Sequence, residues 1–139
     1  MIIKKPSLKN AYSVLTMIRT YFPYVKNNIE KIKKDFTNEK NIFFIAVEKK
    51  TIAGFIHAKN QKNKIFILGL ATLPEFRRKG VASRLIKKLF KYGKPLTLLV
   101  EEENSNAIRL YEKIGFKKKG YSRKTLYGKK IIKMKFNTF

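Results

Sequence analysis

Apolar residues change their period several times along this chain, and each change marks a new element. Ile2 and Ile3 open a short strand over 1–5 that ends at Pro6, and Ser7 is placed to cap a helix beginning at Leu8. Leu8, Ala11, Val14, Leu15 and Ile18 recur at helical spacing, which predicts a helix over 8–21 with one buried stripe. Ile29, Ile32 and Phe36 predict a second helix from about 25 to 37. After TNEKN the period falls to two: 42–48 and 51–59 read as strands joined at Lys49 and Lys50, with a third strand over 64–73. The near-continuous apolar run of that third strand, closed by Pro74, predicts burial on both faces.

Helical spacing returns over 79–92 through Val81, Leu85, Ile86, Leu89 and Phe90, until Gly93 and Pro95 stop it. LTLLVEE (96–102) is again a strand, and 105–114 is a helix ended by Gly115. FKKKGYSRK and KKIIKMKFN supply two final strands connected near Gly128. The order βααβββαβαββ predicts an α/β fold, a mixed central sheet of about seven strands with helices on both faces. No linker, repeat or low-complexity stretch interrupts it, and 139 residues with 44% hydrophobic content suit one domain, 1–139.

Composition removes several chemistries. Without cysteine there is no disulfide, thiolate nucleophile or thiolate metal site, and a lone histidine, His57, rules out a multi-histidine centre, so no metal site is expected. The first residues lack the apolar core of a secretion signal and no run reaches bilayer length, so a soluble, cytoplasmic protein is expected, away from membranes. The charge is extreme: 33 Lys and Arg against 9 Asp and Glu give +24. Such a surface attracts anionic partners. The lysines are spread through every element without interleaved aromatics, which disfavours a single-strand nucleic-acid groove.

The most informative stretch is LATLPEFRRKGVASRLI. A strand ends at Pro74, a turn comes next, and Gly80 stands where a helix begins. An amide-rich turn at a helix start presents unpaired N–H groups to a phosphate, Gly80 and Ala82 allow close approach, and Arg77, Arg78 and Lys79 add charge. The spacing fits neither a Walker loop nor a dinucleotide fingerprint. By itself the stretch fits a plain basic turn equally well.

Arg77, Gly80 and Ala82 fill the pattern Gln/Arg-x-x-Gly-x-Gly/Ala, which resembles the acetyl-coenzyme A binding motif of the GNAT family of N-acetyltransferases. A second stretch, NSNAIRLYEKIGF, resembles that family's helix: Asn104, Ala107, Leu110, Tyr111, Gly115 and Phe116 match its spacing without a gap. The resemblance extends to the first strand and helix and so covers essentially the whole chain. It implies a GNAT-like sheet and acetyl-coenzyme A or coenzyme A as cofactor. The backbone at Leu70, Ala71, Thr72 and Leu73 would pair with the pantetheine arm, and the amides of Arg78, Lys79, Gly80, Val81, Ala82 and Ser83 would hold the pyrophosphate. Asn104 would bind the arm and can also cap the helix, while Asn106, Arg109 and Lys113 lie near the same element, where they could reach the phosphates or simply face solvent. Tyr111 would protonate the departing thiolate, a task suited to a phenol with an ordinary pKa near 10.

One family feature is missing. Many members carry a glutamate on the fourth or fifth strand to deprotonate the amine, and the matching positions here are Phe66 and Leu99. Glu101 and Glu103, in the run Glu101 to Glu103, are the candidate replacements; offsetting the positive surface or capping the next helix is their plainer role. His57 has a suitable ordinary pKa but sits in an alternating strand. The expected activity is transfer of an acetyl group to a primary amine, with a protein N-terminus or lysine among the acceptors and an anionic peptide or protein complex as the favoured carrier. A coenzyme A-binding module without transfer activity and a basic nucleic-acid-associated protein are the alternatives. A monomer or homodimer is expected.

Overall fold

The computed structural model describes residues 1–138. In chain order its elements are β1 (Ile2–Lys4), α1 (Ala11–Tyr21), α2 (Ile29–Thr37), β2 (Asn41–Glu48), β3 (Thr51–Asn60), β4 (Ile65–Thr72), α3 (Val81–Lys87), β5 (Leu96–Glu101), α4 (Ser105–Ile114), β6 (Lys117–Tyr121) and β7 (Ile131–Phe136). The strands form one seven-stranded sheet in the order β1-β2-β3-β4-β5-β7-β6. Neighbours are antiparallel except β4 and β5, whose parallel pairing results from the crossover through α3.

Alternation along the strands builds two cores. Phe43, Ile45 and Phe55 face α1 and α2, where Val14, Leu15, Ile18 and Ile32 are buried. Ile56, Ile65, Ile67, Leu96, Leu98 and Met134 face α3 and α4, which contribute Leu85, Ile86 and Ile108. Each such apolar side chain contributes about 1.5–3 kcal/mol when fully buried. The sheet is therefore a floor with helices on both faces, and no helix of the described residues is long and apolar enough to cross a membrane.

Several boundaries differ from the sequence expectation, each for a local reason. α2 starts at Ile29 because Asn28 takes the cap position and its Oδ1 accepts the Lys31 N–H at 2.9 Å, leaving Tyr24 in a turn. The first helix opens with a 3-10 turn, Leu8–Asn10, in which Asn10 Oδ1 accepts the Ser7 N–H at 2.8 Å. Leu8 is exposed there and does not join the buried stripe. The 79–92 segment is α-helical only over α3 and tightens to 3-10 turns over Lys88–Tyr92. The final hairpin has shorter strands than expected, with 122–130 as its connection.

β4 departs most. Its buried residues are Ile65, Ile67 and Ala71, whereas Phe66 is half-buried and Leu68 is 45% exposed. The β4–β5 ladder runs only from Ile65↔Leu96 to Ile67↔Leu98 and then stops. On the other edge, β3 pairs Ala58 with Ile67 and His57 with Gly69, so Leu68 is an extra, bulged residue. The two central strands thus part beyond Ile67 and Leu98, and Leu99 across the gap is also 45% exposed. An apolar run had suggested two covered faces; the parting of the strands uncovers one.

Candidate active site

The split between β4 and β5 leads directly into the turn before α3. In that turn Arg78 and Gly80 both adopt left-handed backbone conformations, at φ 63° and 77°. Alternation of this kind turns successive amides toward one concave side. No N–H of residues 78 to 83 donates to a protein acceptor among the described residues; the flanking bonds are Arg77 N–H to Pro74 C=O at 3.2 Å and Arg84 N–H to Gly80 C=O at 3.0 Å. A Cβ on Gly80 would meet no atom within 4 Å, so the space beside this backbone is open to a ligand. Free amides over 78–83, beside an unpaired stretch of β4 edge, fit a pyrophosphate joined to an extended amide-bearing arm.

The side chains of this turn behave differently from its backbone. Arg77 is turned back: its Nε donates to the Thr72 carbonyl at 3.1 Å and its guanidinium lies 5.6 Å from the Tyr21 ring centre. It ties the end of β4 to α1. Arg78 and Lys79 are exposed. Leu70 packs with the α3/α4 core while Ala71 and Leu73 pack with the α1/α2 core, so their backbone alone remains for any contact along the gap.

α4 brings the second group of residues. Asn104 caps it, with Oδ1 accepting the Ala107 N–H at 3.2 Å, and Asn106 Oδ1 accepts from the Arg109 guanidinium at 2.6 Å. Lys113 is exposed in the last turn. Tyr111 is half-buried against the α3/α4 core with its ring 5.6 Å from that of Phe116. No hydrogen bond ties its hydroxyl to a protein group among the described residues. Burial pushes its pKa up to about 12, which keeps the phenol protonated across the physiological range. The helix ends because Gly115, at φ 127°, brings the backbone against Phe136, where a Cβ would lie 2.5 Å from the ring. The Gly-Phe pair of the sequence is thus a close approach followed by a core anchor, since Phe116 is buried.

On the α1/α2 side of β4, the backbone at Gly69 lies beside an aromatic chain. Phe55, in the core, touches Phe22 edge-on at 6.4 Å; Phe22 meets Tyr24 at 6.5 Å, and Tyr24 meets Tyr127 at 6.4 Å. The α1–α2 turn is thereby joined to the β6–β7 connection. Burial, then the charge of Glu101, then Tyr127 raise the Tyr24 pKa. Lys129 holds Glu101 at 3.9 Å and Glu103 at 3.6 Å. The two candidate bases therefore share one lysine. Sequence reasoning passed over Tyr24 and Tyr127; the available signals were an aromatic run around Pro23 that lies off the helical stripe and a tyrosine before Gly128 at a turn.

His57 is held away from proton transfer. Its ring stacks on Phe43 at 4.0 Å and its Nε2 is 2.8 Å from Asn41 Oδ1. Burial pulls its pKa down to about 4, with Asp35 opposing and Lys59 and Lys31 assisting. The unfolded chain therefore binds this proton first as pH falls, so the stability that neutral His57 contributes is present above its ordinary pKa of 6.5 and is lost between 6.5 and about 4. Between pH 7 and pH 5 the loss should be about 2 kcal/mol. Denaturant midpoints compared with His57→Gln check this: the variant should show a flatter acid limb, and parallel limbs would refute it.

The sequence profile of the Acetyltransferase (GNAT) family matches residues 11–116. A prophage-derived uncharacterized N-acetyltransferase, YokL, of Bacillus subtilis is 30% identical over 118 residues, covering 78% of this chain and 67% of the relative. An N-alpha-acetyltransferase of Saccharolobus solfataricus is 34% identical over 101 residues, and the match spans 57% of this chain and 60% of that protein. Among solved structures, Arabidopsis thaliana NAA60 in complex with acetyl-CoA has the same fold, with a TM-score of 0.82 at 18% identity over 97% of both chains. Together with the free amides at 78–83 and the parted strands, the match places this chain in the acetyltransferase (GNAT) family.

Proposed function

We propose that this chain transfers an acetyl group from acetyl-coenzyme A to the α-amino group at the start of a polypeptide. The observation that carries the reading is the lining of the split on its α1/α2 side. Phe66, Leu68 and Leu99 offer no proton acceptor, and Glu101, the carboxylate that β5 carries, is engaged by Lys129. This lining favours an amine that arrives largely neutral on its own. An α-amine, with a pKa near 8, has roughly a few hundred times more free base at neutral pH than a lysine near 10.4. The Tyr24–Tyr127 contact adds to this, because it joins two loops near Glu101 at the end of β5 and so narrows the approach in favour of a flexible chain end. The N-alpha-acetyltransferase among the relatives is consistent with the reading.

When bound, acetyl-coenzyme A supplies the acetyl group as an activated thioester. The backbone from residue 78 to 83 would hold its pyrophosphate, and the free edge of β4 beyond Ile67 would orient its arm. Tyr111 Oη holds the proton that a departing thiolate needs. The amine releases its own proton to water, and Tyr111 regains from water the proton it gave up.

The test compares a lysine-free peptide bearing a free N-terminus with an N-blocked peptide bearing one lysine. With the first, the rate should rise with pH and level off above about 8; with the second it should stay low and still be climbing at about pH 9. Faster acetylation of the blocked peptide at about pH 7.5 would overturn the α-amine assignment.

A further inference from the structure

α1 and α2 cover β2, β3 and part of β4, and they leave the same face of β5, β7 and β6 open. Residues directly opposite one another in a ladder share a face. The registers therefore give a row across the sheet: Lys117 opposite Lys135, Lys135 opposite Thr97, Thr97 opposite Phe66, and Phe66 opposite Lys59. One step along, Lys133 lies opposite Leu99. The alternate residues Leu98, Val100, Ile132 and Met134 are buried on the α3/α4 side, which assigns Lys133, Lys135, Thr97 and Leu99 to the open side.

The nearest carboxylate on this face, Glu101 at the end of β5, is held by Lys129. None of Lys59, Lys117, Lys133 and Lys135 forms an ion pair among the described residues. β4, β6 and β7 contain no aspartate or glutamate. Strands about 4.8 Å apart, with same-face neighbours about 6.7 Å apart along each strand, keep Lys117, Lys133 and Lys135 within about one screening length of each other, while Lys59 stands three strands away. A partner bringing carboxylates at that spacing would relieve the repulsion. Lys133 and Lys135 match side chains two residues apart in an extended peptide, which point the same way at the same interval.

We propose that this open face binds an extended acidic segment of the acceptor polypeptide, with carboxylates at alternate residues. The inference rests on the α-amine reading, because the lysine ladder begins beside Leu99 at the split and a chain whose first residue lies there can run directly over it. A nucleic-acid strand fits less well: Phe66 is half-buried and Tyr121 pairs with Ile132 on the opposite face, so the row presents no exposed ring for base stacking.

The experiment uses the full chain with coenzyme A for binding and acetyl-coenzyme A for turnover. Three lysine-free peptides with free N-termini are compared: Glu at residues 4 and 6, Glu at 4 and 5, and Gln at 4 and 6. At low salt the alternating acidic peptide should exceed the Gln peptide by at least about tenfold in kcat/KM, with the adjacent pair between them, and the advantage should shrink as salt rises. The double variant Lys133→Gln, Lys135→Gln should abolish the advantage, and Lys133→Glu, Lys135→Glu should invert it. An acidic-to-neutral ratio that neither variant changes would overturn the proposal. So would a single-stranded RNA that displaces a labelled acidic peptide and binds more tightly through the same lysines. Peptide anisotropy separates the two readings. Charge-dependent binding through Lys133 and Lys135 without α-amine transfer denies the acceptor assignment and keeps the surface; α-amine transfer without charge dependence denies the surface alone.

Discussion

Replacing Tyr111 by phenylalanine should slow the acetyl-transfer step by roughly tenfold to a thousandfold while cofactor affinity stays near normal. The substitution keeps the ring that packs beside Phe116 and removes only a hydroxyl that bonds to no protein group among the described residues, so folding should tolerate it. If Tyr111 only filled space, the rate would not change. Its pKa gives a second signature. A phenol raised to about 12 stays protonated through about pH 10, so the wild-type rate should show no fall near the ordinary tyrosine pKa. Single-turnover rates across pH check both statements. A rate for Y111F equal to that of wild type, with chemistry limiting, would remove the proton-donor role.

Substituting Gly80 should weaken coenzyme A binding in a size-dependent way, with Gly80→Ala losing less than Gly80→Leu, the latter by about tenfold to a hundredfold. Both variants carry the same cost of a side chain at φ 77°, of order 1–2 kcal/mol, so the difference between them isolates exclusion of the ligand. Gly93, at φ 64° and equally open, provides the control: Gly93→Ala should carry the strain without the loss of affinity. Calorimetry gives the affinities. Equal affinities for Gly80→Ala and Gly80→Leu would move the phosphates away from this turn.

Much of this arrangement was legible because it is local. Periodicity gave every strand and helix in order, since alternation and helical stripes are written within a few residues. The glycine at a helix start hints at unpaired amides, but the stretch alone fits a plain basic turn equally well, and the span 78–83 comes with the family resemblance. The split was not legible. Whether β4 stays paired with β5 past Ile67 depends on a bulge against β3 and on packing from both faces, and an apolar run alone reads as a covered strand. The aromatic link from Phe22 to Tyr127 was hidden for a similar reason, since it joins residues far apart in sequence across two loops. Arg77 shows the limit of a motif: its position is legible, but its side chain bonds to Thr72 instead of extending toward the amide turn. Glu101 and Glu103 stood out as rare acids, and their shared partner Lys129 emerges only when the β6–β7 connection folds back over the end of β5.

The central claim is that the acetyl group goes to an α-amine, and one peptide carrying both amines tests it most directly. A peptide with a free N-terminus and one internal lysine is incubated with the chain and acetyl-coenzyme A at about pH 7.5, and fragmentation mass spectrometry locates the added acetyl group. Modification is expected at the N-terminal nitrogen, with the lysine modified at least about a hundredfold more slowly, in line with their free-base fractions. Acetyl groups found first on the lysine, or no acetylated product while coenzyme A still binds, would contradict it.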